Sequence, residues 1–234
     1  MLKSIFLYAC LFCATISFGQ ELTGQQLLEK AIQYHDPNGN WTTFNGTLQI
    51  TMETPKNPDR VSTIKINLPQ EYFYVKASQG DKVTEYTVEK KNCAISYNGK
   101  KNLSEDILKE NNLSCKRANL FKNYYTYLYG LPMKLKDEGT IIDPKVRKKT
   151  FKGKEYLVLK VTYTEKVGKD TWYFYFDPKT YAMEVYQFFK DESKNDGEYI
   201  LLTEEVVVND IKMPKKRAWY YNKDNGYLGT DILK

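Results

Sequence analysis

The sequence predicts a mainly β protein with a few helices, an α+β fold built on antiparallel strands. Three observations lead there. Runs of alternating apolar and polar residues recur along the chain, each closed by a turn signal. Helical spacing interrupts them only at the start and once near the middle. Beyond residue 19 no apolar stretch is long enough to cross a bilayer.

The first nineteen residues, MLKSIFLYACLFCATISFG, read as a secretory signal peptide. Lys3 precedes an apolar run from Ile5 to Ile16, and Ser17 and Gly19 put small residues before a cut expected after Gly19. An exported, periplasmic protein follows from this, with residues 20–234 as a single domain. The alternative is a lipid anchor at Cys10, where Leu7-Tyr8-Ala9-Cys10 resembles a lipoprotein cleavage box. Removing Lys3 lowers the formal charge from +6 to +5. That is mild basicity, suited to an anionic surface such as lipid headgroups rather than to nucleic acid, and explained equally by solubility.

Leu22 to His35 reads as the first helix. Thr23 and Gln26 form a T-x-x-Q capping box, and Leu27, Leu28, Ala31 and Ile32 make one apolar stripe. His35, the only histidine, falls in the last turn, where a partly charged imidazole suits the dipole. Asp36-Pro37 and Asn38-Gly39 then turn the chain into a strand whose buried face holds Phe44, Leu48, Ile50 and Met52. Asp36-x-Asn38-x-Asn40 has the opening spacing of a calcium loop, but Trp41 stands where its glycine belongs and Thr47 where its glutamate belongs. No metal and no cofactor is expected.

Ile64, Ile66 and Leu68 share a strand face, and 71–77, 82–89 and 93–98 are further strands. Ser104 caps a short helix with Glu105 and Asp106 in its first turn. A longer helix starts near Ser114, with Leu120, Phe121, Tyr124, Tyr125 and Leu128 as its stripe, ended by Gly130 and Pro132. Tyr127 and Tyr129 carry the aromatic surface further round it. Leu157 to Tyr163 alternates next, then Trp172, Phe174 and Phe176, and Asp177-Pro178 turns into 181–189. Residues 198–208 pair with 212–221 across Asn209-Asp210. An antiparallel sandwich and a barrel-like sheet both satisfy this order.

In an exported chain Cys93 and Cys115 pair by default, contributing roughly 3 kcal/mol in the chain-entropy model. No nucleophile motif partners His35, and the adjacent Glu204 and Glu205 face opposite sides of a strand, so no enzyme is expected. An exported hydrolase is the least favoured reading.

Three segments carry a resemblance to a known family. "TGQQLLEKAIQYHDPNGNWTTFNGTLQI", "WYFYFDPKTYAMEVYQFF" and "VVVNDIKMPKKRAWYY" resemble the opening helix and strand and the two late hairpins of the LolA/LppX-like lipoprotein-carrier superfamily, in an exported branch of it. The order of elements is similar over nearly all of residues 20–234. The resemblance implies a strongly curved antiparallel sheet, an open half-barrel with a helical lid, holding a lipid, an acyl chain or another apolar ligand. By that implication the concave face carries Leu48, Ile50, Ile64, Ile66, Phe174 and Phe176, and the lid Leu120, Phe121 and Tyr124. The carriers' functional arginine has Arg60, Arg117, Arg147 and Arg217 as candidates by residue type.

Aromatics form 15% of the chain, with twenty tyrosines. That excess suits a wall offering apolar area and hydroxyls, and equally a lid packed on a sheet. The basic stretch Lys145 to Lys154, with Lys215, Lys216 and Arg217, is either a surface for transient membrane contact or an edge strand guarded by lysines. The expected protein is a monomeric, non-enzymatic carrier. The alternative is an envelope structural or partner-binding protein without a small ligand.

Overall fold

The computed structural model describes residues 21–234. The expected signal peptide, its cut after Gly19 and the alternative anchor at Cys10 lie outside these residues. Helix α1 spans Gly24–His35. Both halves of the capping box form: the Thr23 hydroxyl accepts from Gln26 N–H, and the Gln26 side chain accepts from Thr23 N–H. The stripe Leu27, Leu28 and Ala31 is fully buried.

The strands are β1 Asn45–Thr54, β2 Asn57–Asn67, β3 Tyr72–Gln79, β4 Lys82–Glu89 and β5 Asn92–Tyr97, followed by the helices α2 Glu105–Glu110 and α3 Cys115–Tyr129. After them come β6 Thr140–Ile142, β7 Arg147–Phe151, β8 Lys154–Tyr163, β9 Thr171–Phe176, β10 Met183–Phe189, β11 Glu198–Val208, β12 Ile211–Tyr221 and β13 Tyr227–Leu233. All join one antiparallel sheet in the order β5-β4-β3-β2-β1-β13-β12-β11-β10-β9-β8-β6, with β7 also on β8. The sheet curves without closing: β5 ends one side and β6 with β7 the other. Of the two architectures the sequence allows, the open, barrel-like sheet is the one formed.

Several strand limits differ from the alternation. β2 begins at Asn57, although Pro58 and Asp59 disfavour a strand interior; they lie at the exposed hairpin end, where neither is penalised. β13 was not legible because Gly229 and Asp231 sit in its buried phase. The main core fills the concave side. A second, smaller cluster of Tyr156, Val158, Tyr175 and Val185 lies on the convex side with Phe151 packed against it.

The basic stretch forms β7, an edge strand. Several of its cations rest on convex tyrosines: Lys149 Nζ donates to the Tyr175 hydroxyl at 3.1 Å, and Lys152 lies 5.0 Å from the Tyr199 ring centre. Lys154 pairs with Asp177 and Glu184. Arg217 does not join this surface; it is buried on the concave side, while Lys215 and Lys216 pair with Glu204.

The reading of His35 as a partly charged helix end is corrected. The ring is buried, Met183 N–H donates to Nε2 at 2.9 Å, and Nδ1 lies 2.8 Å from the Lys212 carbonyl. With Nε2 accepting, Nδ1 holds the proton and the ring is neutral. Both nitrogens are thus used to fasten α1 to β10 and β12. Asp36 is equally occupied, accepting from the N–H groups of Asn40 and Trp41 at 2.8 and 2.9 Å.

Burial pushes the His35 pKa below its usual 6.5. As pH falls, the unfolded chain takes up this proton before the folded one does. Stability should therefore hold above about pH 6.5 and decline below it until the folded value is reached, by up to about 1.4 kcal/mol per pH unit. Denaturant unfolding between about pH 8 and pH 5 checks this. His35→Gln, less stable throughout, should lose the slope; an identical slope in the variant would assign it to other groups.

Candidate ligand groove under the lid helix

The chain leaves the sheet at β5 and re-enters it at β6, the opposite edge. Residues 98–139 must therefore cross the concave opening, and α3 is the main span. Its start is fixed twice. Ser114 Oγ accepts from Arg117 N–H at 3.1 Å, and Cys115 forms a disulfide with Cys93 on β5, their Cα atoms 5.8 Å apart. With this bond in place, α3 rests mainly on β3, β4 and β5.

The helix rings spread over the opening. Phe121 packs on Tyr86, Tyr125 on Phe73, Tyr124 on Trp219 and Tyr127 on Trp172, with ring centres 5.6 to 6.3 Å apart. Part of the tyrosine surplus is spent here, as a seal. Tyr125, Leu128 and Tyr129 are buried, and directly beneath them the concave side is filled by the protein's own side chains.

A row of polar residues crosses this apolar face. Strand register aligns Arg60, Met52, Asp231 and Arg217 side by side on β2, β1, β13 and β12. Three lid tyrosines meet the row. Tyr124 donates to Asp231 Oδ2 at 3.3 Å, Arg60 Nη2 donates to the Tyr125 hydroxyl at 3.4 Å, and the Arg217 guanidinium lies 3.9 Å from the Tyr129 ring centre. Arg217 is 1% exposed, with Nη1 donating to the Pro214 carbonyl at 2.8 Å. Burial raises the Asp231 pKa against the opposing pull of Arg60 and Arg217, and it lifts the phenols of Tyr124 and Tyr129 well above their usual value. Several groups here lack a hydrogen bond of good geometry: Arg60 Nε, Arg217 Nε, Trp219 Nε1, Asp231 Oδ1 and the Tyr129 and Tyr186 hydroxyls, although Trp219 bears on Asp231 and Arg217 on Tyr186. So many unsatisfied polar atoms in one place are unusual for an interior that serves packing alone.

Open space lies along the flanks of α3. On the β1–β2 side a mostly apolar groove of about 570 Å³ is lined by Met52, Arg60, Arg117, Leu120, Phe121 and Tyr124. On the β8–β9 side a cleft of about 430 Å³ is lined by Tyr127, Tyr163 and Trp172 among others. Tyr124 borders both.

The residues read from sequence divide between these environments. Leu48, Ile50, Ile64, Ile66, Phe174 and Phe176 are at most 1% exposed and packed in the core; they line neither groove. Leu120, Phe121 and Tyr124 line the larger one, and Leu120 stays 60% exposed at its mouth. Among the arginine candidates, Arg60 and Arg217 stand in the polar row. Arg117 flanks the groove, and Arg147 lies on the outer edge, 5.9 Å from the Tyr173 ring centre. The signal for the row was present in the sequence: Arg60 shares the phase of Ile64 and Ile66, and Arg217 that of Met213 and Trp219.

The whole of this architecture lies within one family. A family model described as DUF6503, a family of unknown function, matches residues 3–233. The chain belongs to the DUF6503 family. Among curated proteins none matches it in sequence. Solved structures do share its shape. A LolA superfamily protein from Nitrosomonas europaea superposes with a TM-score of 0.50 at 10% identity, covering 91% of this chain and 92% of that one. A DUF1329 family protein from Desulfovibrio piger gives 0.50 at 9% identity, covering 90% of each chain. At such identities the likeness shows fold alone: this DUF6503 chain has a LolA-like half-barrel with a helical lid.

Proposed function

We propose that this protein is an exported, non-enzymatic carrier that holds an acyl chain or similar apolar ligand in the groove between α3 and the β1–β2 rim. The observation behind this reading is the groove itself. Its volume falls in the range of small-ligand sites, its lining is mostly apolar, and the exposed Leu120 stands at its mouth. The LolA-like fold supports the same reading, as does the Cys93–Cys115 disulfide for an oxidising, periplasmic setting. Residues 20–234 act in it as one domain and a monomer. Loosening of α3 would extend the groove across the core faces of Leu48, Ile50, Ile64, Ile66, Phe174 and Phe176.

Leu120 allows a clean test because it is exposed. Leu120→Lys should change stability by less than about 1 kcal/mol and weaken uptake of a fluorescent fatty acid about tenfold. Equal uptake by both proteins, or none by either, would remove the groove as the ligand site. Native mass spectrometry of protein isolated from its own envelope reads the resident ligand directly.

In this reading the basic edge supplies the membrane contact, through the exposed Lys145 just ahead of β7 and Arg147 and Lys148 on it. Co-sedimentation with anionic vesicles and not with neutral ones is the expected result, fading as salt rises. Equal binding to both would leave these lysines as protection for an edge strand.

A further inference from the structure

Arg60, Arg117 and Phe121 line both the apolar groove and a smaller, more enclosed pocket of about 150 Å³ beside it, between the start of α3 and strands β2 to β4. The two spaces share these three residues and differ in chemistry. The groove is mostly apolar. The pocket gathers three cations, Arg60, Lys82 and Arg117, with Gln79, Asn111 and Tyr86 as neutral hydrogen-bonding groups, and no carboxylate lines it.

The cations are held without being neutralised. Arg60 is tied to the Tyr125 hydroxyl at 3.4 Å, and Arg117 sits 5.5 Å from the Phe121 ring centre. Among the described residues none of the three lies within salt-bridge distance of a carboxylate. Asp231 is the acidic group that pulls on Arg60 from across the row, which leaves an excess of positive charge around the pocket. Tyr86 is 2% exposed, and the Arg117 side chain bears on its hydroxyl. Two guanidiniums that can bind in forked fashion suit a carboxylate or a phosphate better than any neutral group. The pocket has room for a single oxyanion.

We infer that the pocket is the headgroup site of the carrier, and that its ligand is an acyl chain ending in one oxyanion. The tail occupies the groove along Met52, Leu120 and Phe121, while the carboxylate or phosphate lies between Arg60 and Arg117 with Lys82 beside it. The disulfide has a clear role in this arrangement. By anchoring the first residue of α3, it sets the position of Arg117 relative to Arg60. The inference rests on the groove being the ligand site.

Calorimetric titration of the whole protein with oleate, oleyl phosphate and oleyl alcohol separates the two proposals. At low salt at least one anion should bind about tenfold more tightly than the alcohol, and the tighter of the two identifies the headgroup. The Arg60→Gln/Arg117→Gln protein should bind the anions no better than it binds the alcohol. Lys82→Gln, at an exposed position, should keep its melting temperature and lose part of the preference. If the alcohol binds unmodified protein as tightly as both anions, the headgroup site is wrong and the groove stands. If none of the three binds, the groove itself fails and the headgroup site with it.

Discussion

A sheet that leaves off at β5 and resumes at β6, on its far edge, forces the connecting chain across its own open side. Everything distinctive about the molecule follows from that crossing. A curved sheet with an apolar concave face must cover it, and here no second sheet is available. The cover is α3, whose fifteen residues span about 22 Å at the ordinary helical rise. One helix is narrower than the opening. The rings of Phe121, Tyr124, Tyr125 and Tyr127 make up part of the missing width, and the grooves on either side are what remains.

The same helix must be held in a defined place, and apolar packing alone is indifferent to small slides. The disulfide fastens one end. The polar row gives the middle an address: Tyr124, Tyr125 and Tyr129 each meet a different charged side chain. Burying the Arg217 guanidinium and the Asp231 carboxylate, with Arg60 half-buried beside them, is expensive and adds little stability; a row of leucines would serve a plain core better. Its presence beneath the lid, with several donors unsatisfied, fits a site that serves binding. A rigid scaffold with polar compromise concentrated in one region is the usual pattern of functional proteins.

Much of the fold was legible from local patterns. The capping box of α1 and the hairpins at Asp177-Pro178 and Asn209-Asp210 are short-range chemistry, and all are formed; the stripe of α3 turns inward except at Leu120, which stays exposed. The first half of β2 and all of β13 were harder because Pro58, Gly229 and Asp231 break the alternation that marks a strand. The lid residues Leu120, Phe121 and Tyr124 came from helical spacing and the resemblance together. The groove's other wall did not, since Met52 and Arg60 adjoin Asp231 and Arg217 only through the pairing of β1 with β2 and β13. Register between strands distant in sequence is invisible to periodicity, and so was the meeting of the four charged or flanking groups. For His35 the sequence gives its position at a helix end but not the Met183 and Lys212 groups that hold it.

Hydrogen–deuterium exchange with and without oleate tests directly whether α3 is the cover of a ligand site. Binding is expected to slow exchange in residues 115–129 and in the facing parts of β1, β2 and β4, leaving the convex strand β7 unchanged. Protection confined to β7, or no change in α3 at saturating oleate, would contradict a ligand lying against the flank of the lid.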